Sequence, residues 1–425
     1  MNLRRLVALL VVGTMLAAFI VPASAQSQPY VIRMSTWAGV GEAAELQVIL
    51  DAVNASQSDF VVVHEPIPSD YYTQIQTQIA GGTVADFLWI DQDHMALASE
   101  GVFMPLTSCL ADAEPGSAGD LSDYYPDILS TATQDGEVYG LPWIAQPVVT
   151  FYNRGLFDAA GLDYPTADWT WDDLLSMSRA LTQDTNGDGV TDQWGFIANG
   201  WPPPHIFIWQ AGGDVISEDL SSSPIDSPEA LEGINFYLQL AFNPEVSPSR
   251  EIIAEQGFGE MFKAGRIALF MGGAADDLDR VEGLDVGVVS VPRHPRTGSN
   301  ATFAWNASTV ITANPNRTPE QEAMLCRALV AVTEGIHNWK IVSPRISQST
   351  VEHLVASEPR KAPNAEAIIA AVPSMRAFRI IPEFQRWNDV FWGQFMGPLI
   401  NRETDMTPEE LAAEVRPLLE EYLPN

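Results

Sequence analysis

The chain has 425 residues and carries 55 Asp and Glu against 22 Lys and Arg, a formal charge of −33. Such a surface repels nucleic acid and anionic lipid headgroups, so neither is expected as a partner. A chain of this length exceeds what one compact core accommodates, and two lobes are expected.

Met1 to Arg5 carries two positive charges, Leu6 to Val21 is almost wholly apolar, and Ala23-Ser24-Ala25 has the A-x-A form of a signal-peptidase site. The expectation is a signal peptide over residues 1–25, cleaved after Ala25. The mature protein would then be periplasmic or otherwise extracytoplasmic. No cysteine lies near that site, so no lipid anchor is expected. Loss of Arg4 and Arg5 takes the charge to −35. Solubility in a salty or acidic habitat accounts for this charge, with steering of a cationic solute as the alternative. The two cysteines, Cys109 and Cys326, are free to pair in an oxidising compartment, though sequence does not show that they meet.

The mature chain opens on an alternating strand, Tyr30 to Met34, followed by an amphipathic helix with Ala44, Val48, Leu50 and Val53 on its apolar side. Phe60 to Val63 reads as a strand, Tyr71 to Ile79 as a helix ended by Gly81-Gly82, and Phe87 to Ile90 as a buried strand. Alternation of strand and helix predicts a parallel sheet covered by helices. Val148 to Phe151 is the next strand. Thr170 with Asp173 forms a capping box for a helix through Trp171, Leu174, Leu175 and Leu181. Trp194 to Ile197 reads as a strand. Pro228 sits at the first position of a helix capped by Ser227. Ile267 to Met271, Val286 to Val289 and Thr309 to Thr312 are apolar strands. Thr318 and Thr407 each begin a Thr-Pro-Glu start that combines proline with a capping box.

Several segments form an ordered set. Asp86-Phe87-Leu88-Trp89-Ile90-Asp91 precedes Gly101-Val102-Phe103-Met104-Pro105-Leu106. Gly136-Glu137-Val138-Tyr139-Gly140-Leu141-Pro142 precedes Phe151-Tyr152-Asn153-Arg154. Ala160-Gly161-Leu162, Trp169-Thr170-Trp171-Asp172-Asp173-Leu174 and Phe262-Lys263-Ala264-Gly265 to Gly272 follow. In order and spacing the set resembles the family 1 extracellular solute-binding proteins, the ABC-transporter sugar receptors that include maltose-binding protein. The resemblance implies an α/β, two-lobed periplasmic-binding-protein fold with its ligand cleft between discontinuous lobes. One lobe would hold 29–147 and 304–335, the other 148–303 and 336–425. Cys109 and Cys326 would share a lobe, which favours a disulfide. Closure would be a hinge motion. A monomer that delivers a sugar to the permease subunits of an ABC transporter is implied, with no organic cofactor.

Sugar rings call for aromatic faces, and their hydroxyls for carboxylate, amide and guanidinium partners. The chain has 12 tryptophans. Trp37 lies just past the first strand, and Trp89, Asp91 and Gln92 lie at the end of the third, where open α/β sheets hold ligands. Trp89 has core packing as its alternative. Gln146 stands where the family pattern enters the hinge. Trp201 opens a stiff Trp-Pro-Pro-Pro loop. Gly272 and Gly273 permit close backbone approach. Relatives carry a stacking tryptophan just after this point; Ala274 and Ala275 stand here instead. Trp305, Trp387 and Arg379 complete the candidate set, whereas Trp209 is expected in the core.

Asp184, Asn186, Asp188, the Val190 carbonyl and Asp192 follow the alternate-oxygen pattern of a calcium loop, so a structural Ca2+ is expected, with an Asx-rich turn as the alternative. Gly195 occupies the position of the usual terminal Glu. Rival functions are a receptor for a polyamine, amino acid, glycerol phosphate or peptide, and a secreted glycoside hydrolase with paired carboxylates. No H-E-x-x-H or G-x-S-x-G motif and no distinctive carboxylate spacing favours the enzyme.

Overall fold

A computed structural model describes residues 28–276, 278–339 and 341–424. The expected signal peptide lies outside them. Ten strands are assigned: β1 (Tyr30–Thr36), β2 (Phe60–Pro66), β3 (Phe87–Asp91), β4 (Thr133–Gln134), β5 (Glu137–Val138), β6 (Gly140–Asn153), β7 (Leu269–Gly273), β8 (Val286–Val289), β9 (Thr302–Ile311) and β10 (Met375–Arg376). Eight form one sheet in the order β2-β1-β3-β9-β6-β7, with β8 on β6 and β10 on β9.

β1 lies parallel to β2 and β3, as expected for strands joined by the helices Val40–Ala55 and Tyr71–Ala80. β9 runs antiparallel to both β3 and β6. The long strand β6 has two sets of partners. Gly140 to Pro147 pairs with β9, and Val148 to Tyr152 pairs with β7. β6 and β9 therefore carry the chain from one lobe to the other.

The apolar cores show the same division. Ile32, Leu46, Phe87, Trp89, Ile311, Leu325 and Leu329 pack in the first lobe. Phe157, Trp171, Leu174, Phe207, Tyr237 and Phe391 pack in the second. Burying each such side chain contributes roughly 1.5–3 kcal/mol. The change of core falls between Ile144 and Ala145 on β6, and between Ala304 and Ala307 on β9. The third falls between Ile341 and Val342. The helix Pro319–His337 buries Leu325, Leu329, Val332 and Ile336 up to its end.

The capping boxes at Thr170, Thr318 and Thr407 are all formed. Cys109 and Cys326 are bonded, tying Thr107–Leu110 to the helix Pro319–His337. Two local expectations fail. Ala44 and Val48 are exposed, Val48 at 68%, because the first helix turns Leu46 inward beside the expected Leu50 and Val53. Residues 194–197 are not a strand, and only an isolated bridge joins Trp194 to Ile267. The segment lies across the helix Trp171–Leu181, so closely that a Cβ on Gly195 would come within 2.1 Å of the Ser178 carbonyl oxygen. No helix among the described residues is long and apolar enough to cross a membrane.

Candidate functional site

The crossing strands build a cleft between the lobes. Side chains alternate along β9, so Trp305 faces the cleft while Asn306 faces away. Asn306 Nδ2 donates to Gln92 Oε1 at 2.5 Å, and its Oδ1 accepts from the Thr131 hydroxyl at 2.8 Å. On β6 the pairing register shifts between Pro142 and Ile144. That irregularity lets Trp143 and Ile144 both line the cleft, with Gln146 two residues on. Trp37 enters from the end of β1, Gly273 from the end of β7, and Trp201 from its proline loop.

Two cavities of about 200 and 220 Å³ meet here, sharing Gln146, Asp276 and Trp305. Their walls hold five tryptophans: Trp37, Trp143, Trp201, Trp305 and Trp339. Trp37 is the hub, with ring centroids 6.1 Å from Trp143 and 6.2 Å from Trp305. Trp201 is steadied by its Nε1, which donates to the Met271 carbonyl at 2.8 Å. Trp339 donates to Glu45 at 3.1 Å. Fixed rings of this kind present apolar faces with little entropy left to lose.

The polar groups are few. Gln146 Oε1 accepts from the Ala275 N–H at 2.8 Å, and Asp276 Oδ2 accepts from the Gly273 N–H at 2.7 Å. Asp276 is open to the cleft, yet the surrounding walls raise its pKa through desolvation. The Gly273 N–H and the charge of Lys361 oppose that rise. Glu42 is the second carboxylate in the lining.

Trp37, Gln146, Trp201, Gly273 and Trp305 thus come together from the expected set. The others lie elsewhere. Trp89 is fully buried and stacks under Trp143 at 4.2 Å, forming the floor beneath the cleft. Asp91 is turned to its own chain, accepting from the His94 N–H at 3.2 Å as a helix cap and meeting Nδ1 at 2.7 Å. Gln92 is 1% exposed and held by Asn306. Gly272 is covered by Phe270 and Leu278. Trp387 is 1% exposed, stacked with Phe384 and Phe391 in the second core. Arg379 donates to Asp214 and to the Ile216 carbonyl. Arg379 and Trp387 line a separate crevice, which shares no lining residue with the cleft.

Trp143, Trp339, Glu42 and Asp276 were not singled out from the sequence. Trp143 follows Pro142 in the hinge motif, a signal that points to it. Trp339 follows the end of a helix and carries no motif.

The acidic loop turns its oxygens onto itself. Asp184 accepts the N–H groups of Gly187 and Gly189, both at 2.7 Å, and these bonds lower its pKa. Asn186 accepts from Asp188, Asp188 from Val190, and Asp192 from both the N–H and the hydroxyl of Thr185. Among the described residues no group of three His, Cys, Asp or Glu side chains converges to hold a metal. Such bonds are also those of an Asx-rich turn, the alternative to a calcium loop.

Comparison with known proteins agrees with this architecture. The family model described as bacterial extracellular solute-binding protein matches residues 38–313. A putative binding protein of Brucella abortus is 25% identical over 283 residues, 63% of this chain and 64% of the relative, so the match spans just under two thirds of that relative. Among solved structures, an ABC substrate-binding protein of Listeria monocytogenes in complex with cycloalternan aligns with a TM-score of 0.76 at 22% identity. That alignment covers 92% of this chain and 98% of that one. A cyclic alpha-maltosyl-1,6-maltose binding protein of Arthrobacter globiformis aligns with a TM-score of 0.74 at 19% identity, covering 93% and 99%. At such identities the two structures establish the two-lobed fold, and the family match over residues 38–313 establishes that this chain belongs to the bacterial extracellular solute-binding proteins.

Proposed function

We propose that this protein is the receptor of an ABC importer, closing its two lobes on an oligosaccharide outside the cytoplasm and presenting it to the permease subunits. The observation that carries this reading is the wall of five tryptophans around Gln146, Asp276 and Glu42. Rings stack on the C–H faces of sugars, and amide and carboxylate oxygens accept from hydroxyls. Two adjoining cavities offer room for more than one sugar unit. The similar Listeria protein in complex with cycloalternan and the similar Arthrobacter cyclic alpha-maltosyl-1,6-maltose binding protein support an oligosaccharide. We read the protein as a monomeric binder with a cleaved signal peptide, and not as a hydrolase.

A thermal-shift screen over oligosaccharides, monosaccharides, amino acids and polyamines tests the ligand class. A ligand present at a hundred times its Kd adds about 2.7 kcal/mol to the stability of the folded state. The melting temperature is expected to rise with an oligosaccharide. A response only to amino acids or polyamines overturns the sugar assignment, and release of sugar during incubation overturns the receptor reading.

A further inference from the structure

The stretch after β7 carries two groups of the cleft, the Ala275 N–H that holds Gln146 and the Asp276 carboxylate. Behind it the turn Leu278–Arg280 meets the segment from Glu358 to Asn364. Lys361 Nζ donates to Asp279 Oδ1 at 3.3 Å, and Asn364 Nδ2 donates to Asp279 Oδ2 at 3.3 Å. Arg280 donates to Glu358 at 2.9 Å, and Arg360 holds the same carboxylate at 2.8 and 2.7 Å.

The side chains of Lys361 and Asp279 are 1% and 0% exposed. Lys361 is one of only three lysines in a chain of charge −33. A buried ion pair often adds no more stability than apolar residues would, so stability alone is a poor reason for one here. Its location gives a better one. In sequence one residue separates the turn Leu278–Arg280 from Asp276 at the cleft, and the pair ties that turn to the segment from Glu358 to Asn364.

We propose that Lys361 and Asp279 form a buried strut that positions Ala275 and Asp276, and through Ala275 the Gln146 amide, for ligand contact. Its link to affinity rests on the cleft being the ligand site; its hold on the loop does not. Both are positioning residues. Among the described residues the charges around this stretch include Asp276, Asp279 and Arg280 on it, and Glu358, Arg360 and Lys361 on the packed segment. Glu42 and Glu45 add to these from the first lobe. Lys361 draws the Asp276 pKa down against burial, so its charge reaches the cleft as well as the turn.

The test uses the full mature chain. Lys361→Met removes the cation, and the Asp276 carboxyl, followed by carbon NMR, is expected to titrate higher than in the wild type. Because that variant leaves Asp279 charged and buried, the double variant Lys361→Met with Asp279→Leu removes both charges and keeps the fold measurable. In the double variant, hydrogen exchange at the Gly273 and Ala275 amides is expected to accelerate about tenfold or more, while Phe151 in β6 keeps its protection. Unchanged exchange at Gly273 and Ala275 in the folded double variant overturns the proposal, as does acceleration shared equally by Phe151. If cycloalternan binds the wild type, its Kd is expected to rise about tenfold in the double variant; an unchanged Kd overturns the link to affinity. If cycloalternan does not bind, the oligosaccharide reading loses support while the exchange data still judge the strut.

Discussion

Gly273→Ala is a small change with a calculable effect on the cleft. The added methyl would lie 2.6 Å from Gln146 Oε1, 2.8 Å from Gln146 Cδ and 3.0 Å from Asp276 Oδ1. Normal packing requires the Gln146 amide to retreat by roughly 1 Å. The bond from the Ala275 N–H to Gln146 Oε1, now 2.8 Å, then breaks. Gly273 is not among the glycines with positive φ, so no backbone strain adds to this. Losing the hydrogen bond costs about 0.5–1.5 kcal/mol, and overpacking adds about 1 kcal/mol at the yielding edge of a cleft. The expected loss is therefore about 2 kcal/mol in urea unfolding followed by tryptophan fluorescence. Ligand affinity falls by about tenfold or more, because Gln146 is pushed into the space shared by both cavities. An unchanged unfolding midpoint, together with a crystal structure that keeps Gln146 bonded to Ala275, would refute the reasoning.

Trp305→Ala removes the ring common to both cavities. Titration calorimetry with a bound oligosaccharide should show a loss of about 1 kcal/mol or more, with little change in melting temperature. Reduction of the Cys109–Cys326 bond opens a loop of sequence separation 217. Chain-entropy arguments place the loss of stability at about 5 kcal/mol, so dithiothreitol should lower the urea midpoint and leave a Cys109→Ser/Cys326→Ser variant unaffected. Asp93 has its pKa pushed up to about 7, first by burial and then by the neighbouring Asp91. It binds its proton more tightly when folded, so its stabilising effect is full below about pH 4 and is lost as pH rises to about 7. The loss is at most about 4 kcal/mol. His205 and His337, held near 3 by burial, act oppositely over about pH 3 to 6.5, so the difference between wild type and Asp93→Asn is the quantity to measure. A difference that does not change between pH 4 and 7 would remove Asp93 from the account. If the Asp184–Asp192 loop takes calcium after all, calcium raises the melting temperature and Asp188→Ala abolishes the rise; no response to calcium or chelator retires the site.

Local rules carried much of this structure from sequence. The capping boxes at Thr170, Thr318 and Thr407 are legible because a cap depends on four consecutive residues. The alternation of strand and helix through β3 is legible for the same reason. Long-range placement is not. Trp89 and Trp305 both lie in strands, but only Trp305 faces the cleft, and the difference arises from which sheet face each lobe covers. Trp143 reaches the cleft through a register irregularity just after Pro142, where the hinge motif marks the place but not the turn of the side chain. Trp387 and Arg379 lie away from the cleft because a crevice in the second lobe gathers them. Arg379 shares the Asp214 carboxylate there with Arg376, a pairing across sequence that only the fold brings about.

The most direct test of the central claim is calorimetric titration of the mature protein with a panel of purified oligosaccharides, with the mixtures analysed for products afterwards. The account predicts saturable binding of at least one oligosaccharide at one site per chain, weakened in Trp305→Ala, with the sugar recovered intact. Absence of heat with every oligosaccharide, or recovery of cleaved sugar, would contradict it.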